Sequence, residues 1–442
     1  MTDPVRPGSD VHSELDETAI IARELIRIDT TNYGDGKSKG ETEAAEYAAA
    51  KLEALGLAPQ LFDADTRRTS VVARVEGRNH DKPALVVHGH LDVVPADASQ
   101  WSVDPFAGEI RDGLLWGRGA VDMMDMDAMI LTALGDVLSN GGQPERDLIV
   151  AFFADEENGG VFGSHFLVRE RPELFAGASE AISEVGGYSI DVEGKPAYLL
   201  QTGEKAMIWA RLVAEAPAGH GSRLVKRNAV TELAEAVAKI GRLEWPVELT
   251  DTTRELIAEL SSILGVEPKQ VGPDEIVLRT GSAAGFITAT LRSTANPTML
   301  TAGYKSNVIP GRAEARVDIR PLPGQEDAVL TQLEELVGEN VRIEIVTKDT
   351  GLENPTSGEL VDAVRATIER NDPGVPVLPY LMPAGTDNKA LSLLGIRGYG
   401  FAPLKLPPDL DFPAMFHGVD ERVPLDALVF GRKVLGELLA EY

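Results

Sequence analysis

Apolar positions recur at helical spacing from Glu14 to Ile28, with Leu15, Ile20, Ile21, Leu25 and Ile28 in the pattern. The same spacing predicts a second helix over Glu41–Leu55, stopped by Gly56. Short β-rich runs follow at Ser70–Val75, Ala84–Val87 and Leu148–Phe153. Helical stretches lie at Asp125–Leu138 and Gly163–Arg169. Strands alternating with helices predict an α/β sheet.

The middle of the chain is patterned differently. Ala206–Val213 reads as a strand, and Asn228–Ile240 as an amphipathic helix with Val230, Leu233, Ala234, Val237 and Ile240 on one face. Arg312 to Arg320 alternates strictly, Ala313, Ala315, Val317 and Ile319 against charged neighbours, which predicts a half-buried strand. Gln325–Val337 predicts a second helix, and Val341, Ile343 and Ile345 a final strand. With a short strand near Pro297–Gly303, the order is β-α-β-β-α-β, a ferredoxin-like unit. An insertion separates its first helix from its second strand. There Thr252 and Glu255 predict a capping box for a helix ending near Gly265, and another helix is expected over Ser282–Ser293. After Thr350 come a helix at Gly358–Arg370, short strands and a closing helix at Leu425–Leu439. The expectation is one α/β domain in two parts, 1–205 and 350–442, interrupted by an α+β domain at 206–349.

Composition narrows the chemistry. A chain of 442 residues suggests two domains or more. Its net charge of -28 argues against nucleic acid or an anionic membrane as partner. With no cysteine, disulfides and thiolate ligands are excluded, so a transition-metal site must use His and carboxylate. Met1 to Asp16 is polar and acidic, without the basic and apolar regions of a signal peptide. No apolar run reaches the roughly 18 residues of a membrane span. A cytoplasmic protein is the default expectation.

Two stretches carry the chemistry. His88-Gly89-His90-Leu91-Asp92 and Asp155-Glu156-Glu157 each follow a β-rich run, at the expected carboxyl end of a strand, where an open α/β sheet places its active site. One of His90 and Asp92 can bind a metal while the other supports it. The run alone also fits a hydrogen-bonded strand-end cluster. Three adjacent carboxylates repel one another unless a cation neutralises them. One can ligate a metal and its neighbour accept a proton from bound water. A solvated acidic turn before Asn158-Gly159-Gly160 is the alternative. Asp122, after Gly117-Arg118-Gly119, fits a helix cap as well as a ligand. Glu184 and His417 are weak signals alone. Jointly, two histidines and three carboxylates suffice for two metals with one bridging carboxylate, about 3.5–4 Å apart.

In order and spacing, these segments resemble the two-zinc aminoacylase, acetylornithine deacetylase, succinyl-diaminopimelate desuccinylase and glutamate carboxypeptidase family, from roughly Ala19 to Leu439. The resemblance implies a catalytic α/β domain with a mostly parallel sheet flanked by helices, and a ferredoxin-like lid and dimerisation domain. It implies two Zn2+, with Co2+ or Mn2+ also accepted by such ligands. Asp122 would bridge them, His90 and Glu184 would hold one, and Glu157 and His417 the other. Asp92 would orient His90. Glu156 would be the general base for a metal-bound hydroxide that cleaves an amide bond. His220 would stabilise the oxyanion from the partner subunit of a homodimer. Asn307 and Arg320 would contact substrate, Arg320 through its carboxylate, and Gly385 and Thr386 would border the pocket.

The implied enzyme is a metal-dependent peptidase or amidohydrolase of carboxypeptidase, dipeptidase or deacylase type. Its substrate would be a small peptide or N-acyl amino acid with a free carboxylate. Two places depart from the family pattern. Met124 and Asp125 stand where lysine and glycine are usual, and Asn388 and Lys389 where a small residue and arginine are usual. The second loses a bidentate fork. Rival readings are a non-catalytic metabolite-binding protein and another two-metal hydrolase such as a phosphatase. The complete ligand set disfavours the first; His220 and Arg320 disfavour the second. His88 reads as a bystander, and Asp155 has no assigned role.

Overall fold

The structure, a computed structural model, describes residues 15–34 and 38–442. Glu14, the expected start of the first helix, and the polar stretch before it lie outside the described residues. That helix runs Glu17–Arg27, and the Asp16 side chain caps it by accepting the Thr18 N–H at 2.8 Å. The second helix is Thr42–Ala54, with Gly56 just beyond it at φ 83°.

A large sheet dominates the molecule. Gln60–Asp65, Arg68–Val75, Leu148–Phe153, Ala84–His90, Ala178–Ser183, Arg397–Gly400 and Lys195–Glu204 stand side by side in that order. The four strands from Leu148–Phe153 to Arg397–Gly400 are mutually parallel, while Gln60–Asp65 and Arg68–Val75 extend one side antiparallel. Val377–Met382 adds a further parallel pair on Lys195–Glu204. Helices cover both faces, which is why Ala84–His90 and Leu148–Phe153 are buried along their whole length. Leu85 and Val87 join the core under Met124–Leu138 and Leu425–Glu441, and Val86 the smaller core under Ser164–Glu170. Ala84–His90 continues past the expected end at Val87, so His88 and His90 are strand residues.

The ferredoxin-like unit is present. Its four-stranded sheet has the order Thr294–Ala302, Arg312–Arg320, Ile208–Glu215, Val341–Lys348, with every neighbour antiparallel. Ala229–Gly241 and Glu326–Val337 pack on one face. Leu233 and Leu333 meet Ala313, Ala315, Val317 and Ile319 there, the buried set the alternation predicts. The chain crosses between the two sheets twice, after Glu204 and after Lys348.

The insertion differs from expectation in three ways. The helix Asp251–Leu264 is capped by Thr250 with Thr253, not by Thr252 with Glu255. The Thr252 N–H instead donates to Glu353 Oε1 at 2.8 Å, and Glu255 binds Thr356 and Arg365. The segment expected as one helix at Ser282–Ser293 is short 3-10 and α turns ending at Leu291, because Arg292 turns extended. Although the insertion lies within 206–349 in sequence, Leu256, Ile257, Leu260, Ile276 and Leu291 pack into the core of the large sheet. The ferredoxin-like core is built by the segments on either side of it. Among the described residues, no helix is long and apolar enough to cross a membrane.

Candidate metal centre

Parallel neighbours bring the chemistry together. His90 ends one strand, and Glu156 and Glu157 follow the strand paired to it, with His90 opposite Phe153. Glu184 follows the strand on the other side. Three adjacent carboxyl ends thus converge on one edge of the sheet. Asp122 comes from the loop before Met124–Leu138, and His417 from the turn after Pro413–Met415.

Asp122 lies at the centre. Its Oδ1 is 3.1 Å from His90 Nε2, and its Oδ2 is 3.2 Å from His417 Nε2. His417 Nε2 is also 3.1 Å from Glu157 Oε2, and His90 Nε2 is 3.6 Å from Glu184 Oε2 and 4.0 Å from Glu156 Oε2. One face of the cluster is therefore His90 with Glu184, the other His417 with Glu157, and Asp122 turns one oxygen to each. His417 has φ 57°, a left-handed conformation that a histidine rarely adopts, and its side chain is 56% exposed.

Carboxylates outnumber the imidazoles in this buried space, and the proton affinities record it. Burial, reinforced by neighbouring carboxylates, pushes Glu156 well above the usual range and Glu184 up to about 7. Burial opposes charge on His90, yet Glu184 and Asp122 hold its proton well above the usual value. Hydrogen bonds to Asp122 and Glu157 push His417 up to about 11. Burial would raise Asp122, but the two histidines keep it well below the usual range. Glu157 Oε1 is buried without a hydrogen-bond partner among the described residues. Nitrogen and oxygen donors, negative charge and an orphaned carboxylate oxygen fit divalent cations.

The surrounding contacts sort the remaining residues. The Asp92 carbonyl oxygen accepts from His90 Nδ1 at 2.9 Å. The Asp92 carboxylate accepts the N–H groups of Glu156 and Glu157, at 3.0 and 3.2 Å, and Asn32 Nδ2 at 2.8 Å. Asp155, left without a role in the sequence, is a buried scaffold. It accepts from Asn32 Nδ2 at 3.0 Å and the Phe162 N–H at 3.1 Å, with Arg68 at 3.5 Å. Arg68 also binds Glu41 and Asn32. His88 points away, its Nε2 2.9 Å from Asn388 Oδ1. Asn32, Glu41 and Arg68 were missed because no local motif marks them; only the fold brings them under the acidic turn.

The expected substrate residues make their hydrogen bonds outside this cluster among the described residues. His220 and Asn307 are exposed neighbours on the ribbon formed by Gly219–His220 and Val308–Ile309. His220 Nδ1 is 2.8 Å from Ser222 Oγ, and among the described residues neither side chain hydrogen-bonds to the cluster. Arg320 donates through Nε and Nη2 to Asp318, at 2.6 and 3.1 Å. Thr386 is buried, with its hydroxyl donating to Glu204 at 2.6 Å. Lys389, standing where arginine is usual, donates to the Lys205 carbonyl and to Asp349, both at 2.8 Å.

The profile of peptidase family M20/M25/M40 matches residues 86–441. The chain is similar to the N-fatty-acyl-amino acid synthase/hydrolase of Mus musculus, 27% identical over 445 residues, covering 95% of this chain and 87% of that one. It is also similar to the succinyl-diaminopimelate desuccinylase of Rhodospirillum centenum, 29% identical over 364 residues, covering 81% and 82%. In fold it resembles an M20 family metallo-carboxypeptidase from Sulfolobus solfataricus, with a TM-score of 0.75 at 21% identity, covering 96% of this chain and 99% of that one.

Proposed function

This chain belongs to peptidase family M20/M25/M40, and from that premise we propose that it hydrolyses an amide bond in a small peptide or N-acyl amino acid bearing a free carboxylate. The observation that carries the reading is Asp122, whose two oxygens face His90 and His417 at 3.1 and 3.2 Å. His90 and Glu184 would hold one metal ion, Glu157 and His417 the other, and Asp122 both. Zinc is the ion we expect, with cobalt or manganese accepted by the same donors. Bound there, such ions polarise a carbonyl and lower the pKa of water.

Glu156 is the base in this reading. It is fixed beside the cluster by its N–H to Asp92, and its carboxylate lies 4.0 Å from His90 Nε2, outside the pairs that share Asp122. It takes the proton of the attacking water and delivers it to the leaving amine nitrogen.

The unit within 206–349 serves as lid and dimerisation surface. His220, whose Nδ1 is held by Ser222, keeps Nε2 for the oxyanion of a partner subunit's substrate. Its exposure, and the lack of a hydrogen bond to the cluster among the described residues, support that arrangement. Asp318 engages one edge of the Arg320 guanidinium, leaving the Nη1–Nη2 end for a substrate carboxylate. Asn307 approaches substrate from the same ribbon as His220, and Gly385 with Thr386 forms the pocket border. The test is hydrolysis of a panel of dipeptides and N-acyl amino acids, with metal and with chelator. A folded, metal-loaded protein inactive on all of them overturns the assignment.

A further inference from the structure

Glu421 lies four residues beyond His417 and is fully buried. Its carboxylate is wrapped by the loop that carries Asp122. Oε1 accepts the N–H groups of Val121 and Asp122, at 2.7 and 3.2 Å. Oε2 accepts Arg118 Nη1 at 2.7 Å and the Gly119 N–H at 3.1 Å. The Glu421 carbonyl oxygen accepts the Gly117 N–H at 3.0 Å.

Two details show that this wrapping depends on particular residues. Gly119 adopts φ 87°, and a Cβ there would meet Val93 and Met124 at 2.9 and 3.0 Å. Only glycine turns that N–H inward without strain or collision. Arg118 also donates Nη2 to the Gly418 carbonyl at 2.9 Å, next to His417, and its guanidinium lies 5.2 Å from the Trp101 ring centroid.

Asp122 and His417 approach one another from distant parts of the chain. The His417 side chain is half exposed, and its backbone is in a left-handed conformation. Arg118 and Glu421 tie the segment that follows it to the loop that precedes Asp122. None of the Glu421 oxygens faces the histidines, since both are engaged with Arg118 and the loop N–H groups.

We propose that Glu421, with Arg118, is a positioning residue that holds Asp122 and His417 in register. The metal position formed by Asp122, Glu157 and His417 has two ligands that depend on it, and the position formed by Asp122, His90 and Glu184 only one, so the first is weakened more. The inference rests on the metal centre proposed above. Removing a group that orients a ligand costs about 10–100-fold in metal affinity.

The test is zinc titration of the full-length apo protein by calorimetry, with folding checked by circular dichroism. Wild type is expected to take up two equivalents. Glu421→Gln keeps the size but presents an amide NH2 to donors, so one equivalent stays tight and the other weakens at least about tenfold. His417→Ala, measured alongside, must weaken one equivalent in the same way. If Glu421→Gln does not fold, Arg118→Lys, which keeps the charge but loses the fork, must show the same selective weakening. Two equivalents with unchanged affinity in the folded variant, or equal weakening of both, overturn the proposal while leaving the metal centre standing. A wild type that binds no zinc overturns the metal centre itself.

Discussion

The Nδ1 of His90 lies 2.9 Å from the Asp92 carbonyl oxygen and 3.7 Å from the nearest Asp92 carboxylate oxygen. The main chain of Asp92, not its acid group, makes the hydrogen bond to the imidazole. The carboxylate is engaged with the turn that presents Glu156 and Glu157. Asp92→Asn therefore keeps the His90 contact but replaces one acceptor by a donor facing Glu156, Glu157 or Asn32. The expected result is a loss of about 10–100-fold in kcat with near-normal metal content, measured by steady-state kinetics and elemental analysis. Full activity in that variant would show that the turn does not need this carboxylate.

Glu156→Ala separates proton transfer from metal binding. Removing a positioned base costs about 100- to 10,000-fold in rate. Metal content should stay near wild type, because His90, Glu184, Asp122, Glu157 and His417 remain. Normal turnover would remove Glu156 from the role of base.

Chelation should cost stability as well as activity. Without cations, burial disfavours the charges of Glu156, Glu157 and Glu184 and neighbouring carboxylates add to it, so all three hold protons above the usual range. Metal at a thousand times its dissociation constant would stabilise the fold by about 4 kcal/mol. Differential scanning calorimetry should show Tm falling with chelator and recovering when zinc is restored. An unchanged Tm together with unchanged activity would contradict a metal centre.

Arg320→Ala distinguishes carboxylate recognition from general damage. A lost charged hydrogen bond is about 1.5–3 kcal/mol, so KM should rise about tenfold to a hundredfold for substrates with a free carboxylate. Substrates capped as amides should respond little. Equal effects on both would assign Arg320 a structural role.

Lys389 bridges the two crossings between sheets: it binds the Lys205 carbonyl on one and Asp349 on the other. Lys389→Met leaves both acceptors without their cation. Breaking this largely buried pair should destabilise the protein by about 2–4 kcal/mol, read from urea unfolding. Stability within about 0.5 kcal/mol of wild type would show that solvent replaces the contact.

Elements with one exposed face were legible in the sequence. Arg312–Arg320 alternates because one face packs under Leu233 and Leu333 and the other does not. Val377–Met382 is buried along its whole length, so its pattern has no period to read. The capping box was misplaced by two residues because Thr250 and Thr252 both suit that role locally. Thr252 is claimed by Glu353, from a distant part of the chain.

By itself the sequence determined which chemistry is available. No cysteine, two histidines in strand-end and turn motifs, and acidic residues at fixed spacing restrict a metal to nitrogen and oxygen donors. These are properties of residue type and local order. Which partners each acid faces is a matter of the tertiary fold. Asp155 and Glu157 are two positions apart in one turn. One faces Asn32 and Arg68 beneath the sheet edge, and the other faces His417 above it. Likewise, Arg118 and Glu421 are ordinary charges in the sequence and become a buried clasp only when parallel strands and closing loops converge. Electrostatics inside a protein depend on burial and distance, and both are settled by packing.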